Sequence, residues 1–376
     1  MNPGSGSRAS APRAAGNAAA VLRALGLGTL LVACLGSPVP GGAQEEAPRR
    51  VLFGSCLDPS RPHPILDTAA RTRPDLFIFL GDNIYADTRN PAVLREKYAA
   101  LGASAGFRRL LSACPLLATW DDHDYGVNDA GRAFPMKRES RRQFLDFWSV
   151  PADSPRRAHE GVYDAAVIGS PGRRLQVILL DTRYFRSPLL PGRLPRHTRG
   201  PYLPDLGPGA SLLGEEQWHW LEERLREPAE LRLIASSIQV LSEHHGWEAW
   251  ANFPREQERL FELLRSTRAE GVLFLSGDRH FAEISRRGEP GLYPLYDITS
   301  SGLNLRFPEA APNPNRYRLD RSYLFENFGE LEVAWDDADP GLRMRVADLA
   351  GEHPAAGAAF RSLNPAYPAG YGKRVR

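Results

Sequence analysis

Leu76-Phe77-Ile78-Phe79-Leu80, running straight into Gly81-Asp82-Asn83-Ile84-Tyr85, is the stretch that decides the fold. Five apolar residues in succession, without polar alternation, read as a strand covered on both faces and so as the interior of a layered domain. The glycine lets the chain turn sharply where the strand ends. A carboxylate and a phenol then follow three residues apart, and on one turn the two can hold a hard trivalent ion; a Gly-Asp pair alone also suits an ordinary turn.

The same grammar recurs along the chain. Val51 to Phe53 runs into Gly54-Ser55-Cys56, and Leu116 to Thr119 into Trp120-Asp121-Asp122-His123-Asp124. Leu175 to Leu180 gives Asp181-Thr182-Arg183, Leu231 to Ala235 gives Ser236-Ser237-Ile238-Gln239, and Val272 to Leu275 gives Ser276-Gly277-Asp278-Arg279-His280. Each of the six runs reads as a central strand buried on both faces, and each delivers polar groups at its carboxyl end. In open α/β sheets those ends share a rim, where ligands bind.

Between the strands, helices are expected over Pro91 to Leu101, Ser140 to Trp148, Gly214 to Leu225 and Arg255 to Arg268, with Trp218, Leu221 and Leu225 as a core stripe at helical spacing. Strands interleaved with helices make the fold class α/β or layered α+β. Residues 186 to 213, with six prolines, read as a long surface loop. Gly329 to Trp335 and Leu342 to Val346 alternate in period two around Asp336, Asp337, Asp339 and Pro340, the pattern of an antiparallel hairpin. The tail from 350 to 376 is rich in Ala, Gly and Pro and is expected to be loosely ordered.

With 376 residues, 42% hydrophobic and 24% charged, the chain has the statistics of one large domain or two modest ones, which excludes disorder throughout. Its formal charge of +2 is set by the leader: Arg8, Arg13 and Arg23 lie in the first 43 residues with no acid, and removing those three from 47 basic residues leaves 44 against 45 acidic ones. A neutral body is no evident nucleic-acid binder.

Residues 1 to 43 have the layout of a secretory signal. Leu25 to Ala33 is apolar but too short to cross a bilayer, and Leu31-Val32-Ala33-Cys34 resembles a bacterial lipobox. Lipidated Cys34 would anchor the chain to a membrane; Gly41-Gly42-Ala43 offers an ordinary cleavage site instead. The expectation is therefore an exported protein, periplasmic, extracellular or membrane-anchored as a lipoprotein, with residues 44 to 349 forming its folded domain. Only Cys56 and Cys114 remain in the body, too few for a disulfide scaffold. Cys114, between leucines, reads as a small hydrophobe; Cys56 reads as that or as a thiolate ligand.

The chemistry gathers in four clusters. Asp121, Asp122 and Asp124 at a buried strand end repel one another unless a cation or solvent offsets them. Asp278 and His280 flank Arg279, so on an extended segment both side chains face one side and offer an oxygen and a nitrogen ligand. With Cys56, Asp82 and Tyr85 the donors span thiolate, carboxylate, phenolate and imidazole, a set suited to a transition metal beside a carboxylate-bound divalent ion.

The order Gly81-Asp82-x-x-Tyr85, Asp122-His123-Asp124, Gly277-Asp278-x-His280 resembles the calcineurin-type metallophosphoesterases and purple acid phosphatases. Ser55-Cys56 in the first block, Trp120-Asp121-Asp122-His123 in the third and Gly277-Asp278-x-His280 in the last are similar to the PhoD-like (alkaline phosphatase D) branch, as are Asp181-Thr182-Arg183 and Ser237 to Gln239. The resemblance covers roughly residues 51 to 335. It implies a sandwich of two mixed sheets flanked by helices, with Fe3+ held by Cys56, Asp82, Tyr85 and His280. It implies Ca2+ held by carboxylates including Asp82, Asp122 and Asp278; Asp121 belongs to the same metal group, and Asn128 is a candidate further oxygen ligand. His123 falls where the superfamily has its phosphate-facing histidine. Arg183 and Arg279 are candidates to pair with phosphate oxygens or are structural arginines, and His244, His245, Trp247 and Trp250 form a pocket wall or core packing.

The implied reaction is hydrolysis of phosphate mono- or diesters by a metal-activated hydroxide attacking in line. The substrate would be a small-molecule or lipid phosphoester, and a phospholipase D-like diesterase on phospholipid or cell-envelope diesters is the alternative within the enzyme class. A non-catalytic, metal-stabilised surface protein is the alternative outside it. The protein is expected to be a monomer without nucleic-acid-specific binding. Two departures stand out: the twin-arginine signal common in the branch is missing, and no N-terminal β-sandwich domain precedes the first block, so the chain is expected to be nearly the bare catalytic domain.

Overall fold

The computed structural model describes residues 46–192, 200–307, 313–336, 341–350 and, as backbone, 359–360. The six apolar runs are all strands: β1 (Arg50–Gly54), β2 (Leu76–Leu80), β3 (Leu116–Thr119), β5 (Leu175–Leu179), β8 (Leu231–Ala235) and β9 (Val272–Ser276). To these the fold adds β4 (Asp164–Ile168), β6 (Leu190–Pro191), β7 (Tyr202–Leu203), β10 (Ala282–Arg287), β11 (Leu295–Ser300), β12 (Phe328–Ala334), β13 (Gly341–Ala347) and β14 (Ala359–Phe360). The helices are α1 (Ile65–Arg71), α2 (Pro91–Ala103), α3 (Ala105–Ala113), α4 (Asp122–Tyr125), α5 (Lys137–Phe147), α6 (Pro155–Ala158), α7 (Gly214–Leu225) and α8 (Pro254–Thr267).

Two six-stranded mixed sheets result. The first runs β14-β13-β12-β1-β2-β3, with β1, β2 and β3 parallel and β12 antiparallel to β1. The second runs β10-β11-β9-β8-β5-β4, parallel through its four central strands with an antiparallel strand at each edge.

Continuous apolar strands are explained by burial on both sides. Leu76, Ile78 and Leu80 of β2 meet Leu175, Val177, Leu233 and Leu275 of the facing sheet, whereas Phe77 and Phe79 pack under Leu66, Leu94, Phe107 and Phe144 from the helices. Ile234 and Phe274 turn outward in the same way onto Trp218, Leu221, Leu260 and Phe261 of α7 and α8. The expected sandwich of two mixed sheets between helical layers is what forms. Local chemistry starts the helices: Asn90 accepts from the backbone N–H of Ala92 at 3.0 Å with Pro91 at the first turn, and Ser104 caps α3 by accepting from Phe107.

Three expectations need adjusting. β3 is an edge strand, and its first two residues are only half-buried. The 186 to 213 loop carries the small β6-β7 ribbon. The expected hairpin forms as β12 and β13, but Asp337, Asp339 and Pro340 of its turn lie outside the described residues, as do the leader with Cys34 and the tail beyond Ala350 apart from Ala359–Phe360, which pairs with β13.

At their carboxyl ends the sheets are stitched together. Ser55 bridges Ser301, its N–H donating to Ser300 O at 3.1 Å, and the Thr119 hydroxyl donates to Leu180 O at 2.7 Å. The polar clusters gather at this end.

Candidate metal centre

Backbone conformation sets the site apart first. Cys56, Asp82, Asp278 and His280, none of them glycine, have φ of 62°, 49°, 62° and 56°. Each left-handed residue costs about 1–2 kcal/mol, so four at strand ends mark a place where the surroundings dictate geometry. Gly81, at φ +103°, leads into the second of them, and a Cβ there would stand 2.6 Å from the Asp121 Cβ. That close approach lays the Asp82 turn against the end of β3.

The donors from separate strand ends meet. One ligand atom each from Asp82, Asp121, Asp122 and Asp278 lie within 4.8 Å of one another, and so do those of Asp82, Asp122 and His123. A third such group joins Asp122 to Asp129 and Glu248. Around Asp82, the Cys56 Sγ stands 3.5 Å and the Tyr85 hydroxyl 3.0 Å from Oδ2. His280 lies beyond Tyr85, their ring centroids 6.4 Å apart, and its Nδ1–H donating to Leu305 O at 3.2 Å leaves Nε2 as the available ligand atom.

These residues fit cations on a direct observation. Asp121 Oδ2 and Asp122 Oδ1 are buried without a hydrogen-bond partner, a costly state for a carboxylate oxygen, whereas Glu248 Oε1 is met by Arg186 Nη2 at 3.2 Å. Burial, with the carboxylates of Asp121 and Asp122, pushes Asp82 and Asp278 well above the usual carboxylate range. Burial lifts Asp121 to about 6 against the pull of Arg183. Asp122 is held low, because Arg183 and His123 overcome the effect of burial. Burial also raises the Cys56 thiol and the Tyr85 phenol and lowers His280 to about 4.

The run Asp121 to Asp124 divides its labour. Asp124 faces the backbone, accepting from the Asp121 N–H at 2.6 Å and the Asn83 side chain at 2.5 Å, and burial raises it to about 8. His123 faces the cluster. Its Nδ1 meets Asp87 Oδ1 at 2.7 Å and its Nε2 lies 4.0 Å from Asp122 Oδ1; these acids, with Asp82, overcome burial and raise it to about 10.

Two assignments change. Arg183 is not poised for substrate: it is fully buried, its Nε 2.5 Å from Asp121 Oδ1 and its Nη1 2.5 Å from Glu248 Oε2, so it compensates ligands from beneath. Asn128 is exposed, and its backbone N–H donates to Asp87; Asp129 is the neighbour that joins the carboxylates. Arg279 adjoins Asp278, with its Nε buried and without a hydrogen-bond partner and its guanidinium 5.4 Å from the Phe281 ring centroid. Of the expected wall, Trp250 is core, donating to Ser236 Oγ and crossing Trp218, whereas Trp247 is exposed.

Sequence reasoning missed Asp87, Asp129, Glu248 and Ser301, and placed Ser237 at a strand end without giving it a role. Ser237 donates to Asp121 Oδ1 at 2.5 Å, and Ser301 Oγ sits 3.0 Å from Cys56 Sγ and accepts from the N–H groups of Arg279 and His280. Glu248 carries the one available signal, an acid enclosed by Trp247 and Trp250.

The electrostatics make a sign-definite prediction. Asp121, Asp124 and His123 titrate higher when folded than their ordinary 3.8, 3.8 and 6.5. The stability each contributes is complete below the ordinary value and is lost as pH rises through the folded one. His280, lowered to about 4, works the other way below its ordinary 6.5, so cation-free protein should melt at falling temperature from about pH 7 to about pH 10, and added divalent cation should raise the melting temperature more near pH 9 than near pH 7. A flat profile in thermal melts would contradict the uncompensated cluster.

The PhoD-like phosphatase family profile matches residues 55–289. Alkaline phosphatase D of Bacillus subtilis (strain 168) is 25% identical over 274 residues, 62% of this chain and 45% of that protein, so the chain spans less than half the length of this relative. Among solved structures, one of PhoD superposes with a TM-score of 0.61 at 17% identity, covering 86% of this chain and 73% of its own. GAP50, the anchor in the inner membrane complex of Plasmodium, superposes with a TM-score of 0.51 at 10% identity over 84% of this chain and 89% of its own. These two likenesses speak for the fold. With a profile match running from Ser55 through every ligand-bearing strand end to Glu289, the chain belongs to the PhoD-like phosphatase family.

Proposed function

We propose that this chain is an exported hydrolase of phosphate esters working through a mixed cation centre. The observation that carries the reading is the convergence of carboxylates from different strand ends, with buried oxygens left unpaired, in a chain of the PhoD-like family. Export is supported by the signal-like leader, residues 1 to 43.

Cys56, Asp82, Tyr85 and His280 would hold Fe3+, the phenolate and thiolate favouring a trivalent or soft-tolerant ion. Asp82, Asp121, Asp122 and Asp278 would hold Ca2+, with Asp129 and Glu248 extending the oxygen set through Asp122. When bound, such cations supply Lewis acidity and make water a competent nucleophile near neutral pH. His123, fixed by Asp87 and directed toward Asp122, donates a hydrogen bond to a phosphoryl oxygen. Arg279 offers a guanidinium beside Asp278, and Arg183 keeps Asp121 and Glu248 in place from below.

The test is chelation and restoration on the purified full chain, with release of product followed from a phosphomonoester and a phosphodiester. Hydrolysis should vanish on chelation and return with Fe3+ and Ca2+ together, and the restored protein should absorb visible light through tyrosinate-to-iron charge transfer. Full activity after exhaustive chelation would end the proposal, and the ratio of the two rates decides between mono- and diesterase.

A further inference from the structure

We propose that Phe307 receives the alcohol half of the substrate and selects phosphoesters whose leaving group is apolar; this rests on the phosphoesterase reading above. Phe307 and Phe325 are the two exposed phenylalanines among the described residues, 54% and 57% accessible, and both fall between β11 and β12 in the sequence. A single exposed Phe is ordinary. Its placement here is not, since the Phe307 ring lies 4.5 Å from the ring of His280, nearly edge-on at 64°.

The chain just before Phe307 is anchored. Leu303 N–H donates to Ser55 O at 3.0 Å, Leu305 N–H to Cys56 O at 3.2 Å, and Leu305 O accepts from His280 Nδ1. Phe307 therefore stands two residues beyond a carbonyl that orients a candidate ligand. Behind it, the Arg306 guanidinium lies 5.8 Å from the Phe325 ring centroid and Tyr323 packs 5.6 Å from the same ring.

An accessible aromatic face contributes nothing to holding ions, which call for oxygen, nitrogen and sulfur donors. It does suit the organic half of an ester whose phosphoryl group sits on those ions, because an apolar alcohol leaving past Phe307 covers surface that water otherwise wets. A polyol gains nothing there. Aryl and alkyl alcohols share this chemistry, and the experiment separates them.

Rates on phenyl phosphate, octyl phosphate and glycerol 3-phosphate would be measured for the wild type, Phe307→Ala and Phe307→Tyr, with bound iron and calcium determined for each. In Phe307→Ala the preference for an apolar ester over glycerol 3-phosphate, as a ratio of kcat/KM, should fall about fivefold to tenfold, with cation content at the wild-type level and Phe307→Tyr retaining the preference. A fall for phenyl alone identifies an aryl group, for octyl alone an alkyl chain, and each supports the proposal. An unchanged ratio, or equal loss on all three esters, overturns it and leaves the phosphoesterase reading standing; for a wild type that hydrolyses diesters only, the same three alcohols are compared as their methyl phosphodiesters, and a wild type that hydrolyses neither series overturns both.

Discussion

Asp82→Asn will abolish turnover while making the cation-free protein harder to melt. Asp82 is common to two of the three potential ligand groups and is touched by both Cys56 and Tyr85. Loss of its charge should lower kcat by about a hundred- to a thousandfold, with reduced cation content. Without cations the same change relieves a buried carboxylate pushed well above its ordinary range by burial and by its acidic neighbours. Asparagine also tolerates the left-handed backbone there. The expected pair of results is opposite in sign: lower activity, higher melting temperature near pH 8 in chelator. Such opposition is the signature of a residue kept for chemistry against the interest of the fold. A variant with wild-type turnover would remove Asp82 from the centre, and one that melts lower in chelator would show that its carboxylate is already compensated.

Arg183→Met should produce the largest loss of stability. The guanidinium is fully buried and satisfies Asp121 through Nε and Glu248 through Nη1, with Asp122 4.0 Å from Nη2. Deleting one member of a buried ion group leaves the others uncompensated, at about 3–5 kcal/mol. Arg183→Lys should recover little, because one ammonium cannot span two carboxylates that the planar fork reaches together. Adding Asp121→Asn to Arg183→Met should restore part of the loss, since the stranded charge goes too. Denaturant midpoints of the cation-free proteins decide this, and a loss below about 1 kcal/mol would mean that the pairing is as weak as a surface salt bridge.

Much of the fold was legible because its central strands are apolar on both faces, a pattern that few other structures require. Two of the strands that escaped notice, β10 and β11, carry acidic residues inside. Asp297 in β11 is buried, yet accepts from the N–H groups of Val240 and Leu241 and from Ser276. Glu283 in β10 is matched by Gln239, Asn315, Arg318 and Ser322. Local sequence cannot reveal partners supplied from tens of residues away, so such strands read as loops. The site divides on the same line. Cys56, Asp82, Tyr85, Asp121, Asp122, Asp278 and His280 sit on the strand ends themselves, and strand ends can be counted off the chain. Asp129 and Glu248 arrive on connecting segments that fold back, and the burial of Arg183 depends on Glu248 being there.

The stitching between Ser55 and Ser300, and between Thr119 and Leu180, lies at one end of the sandwich only as far as these bonds go. Donors for a single ion come from both halves across that seam, from Asp82 and Asp122 on one side and Asp278 on the other. An ion seated there acts as a clasp, and separating the halves requires its release. Resistance to unfolding in a protease-rich milieu would then follow the residence time of the ion more closely than the area of the core.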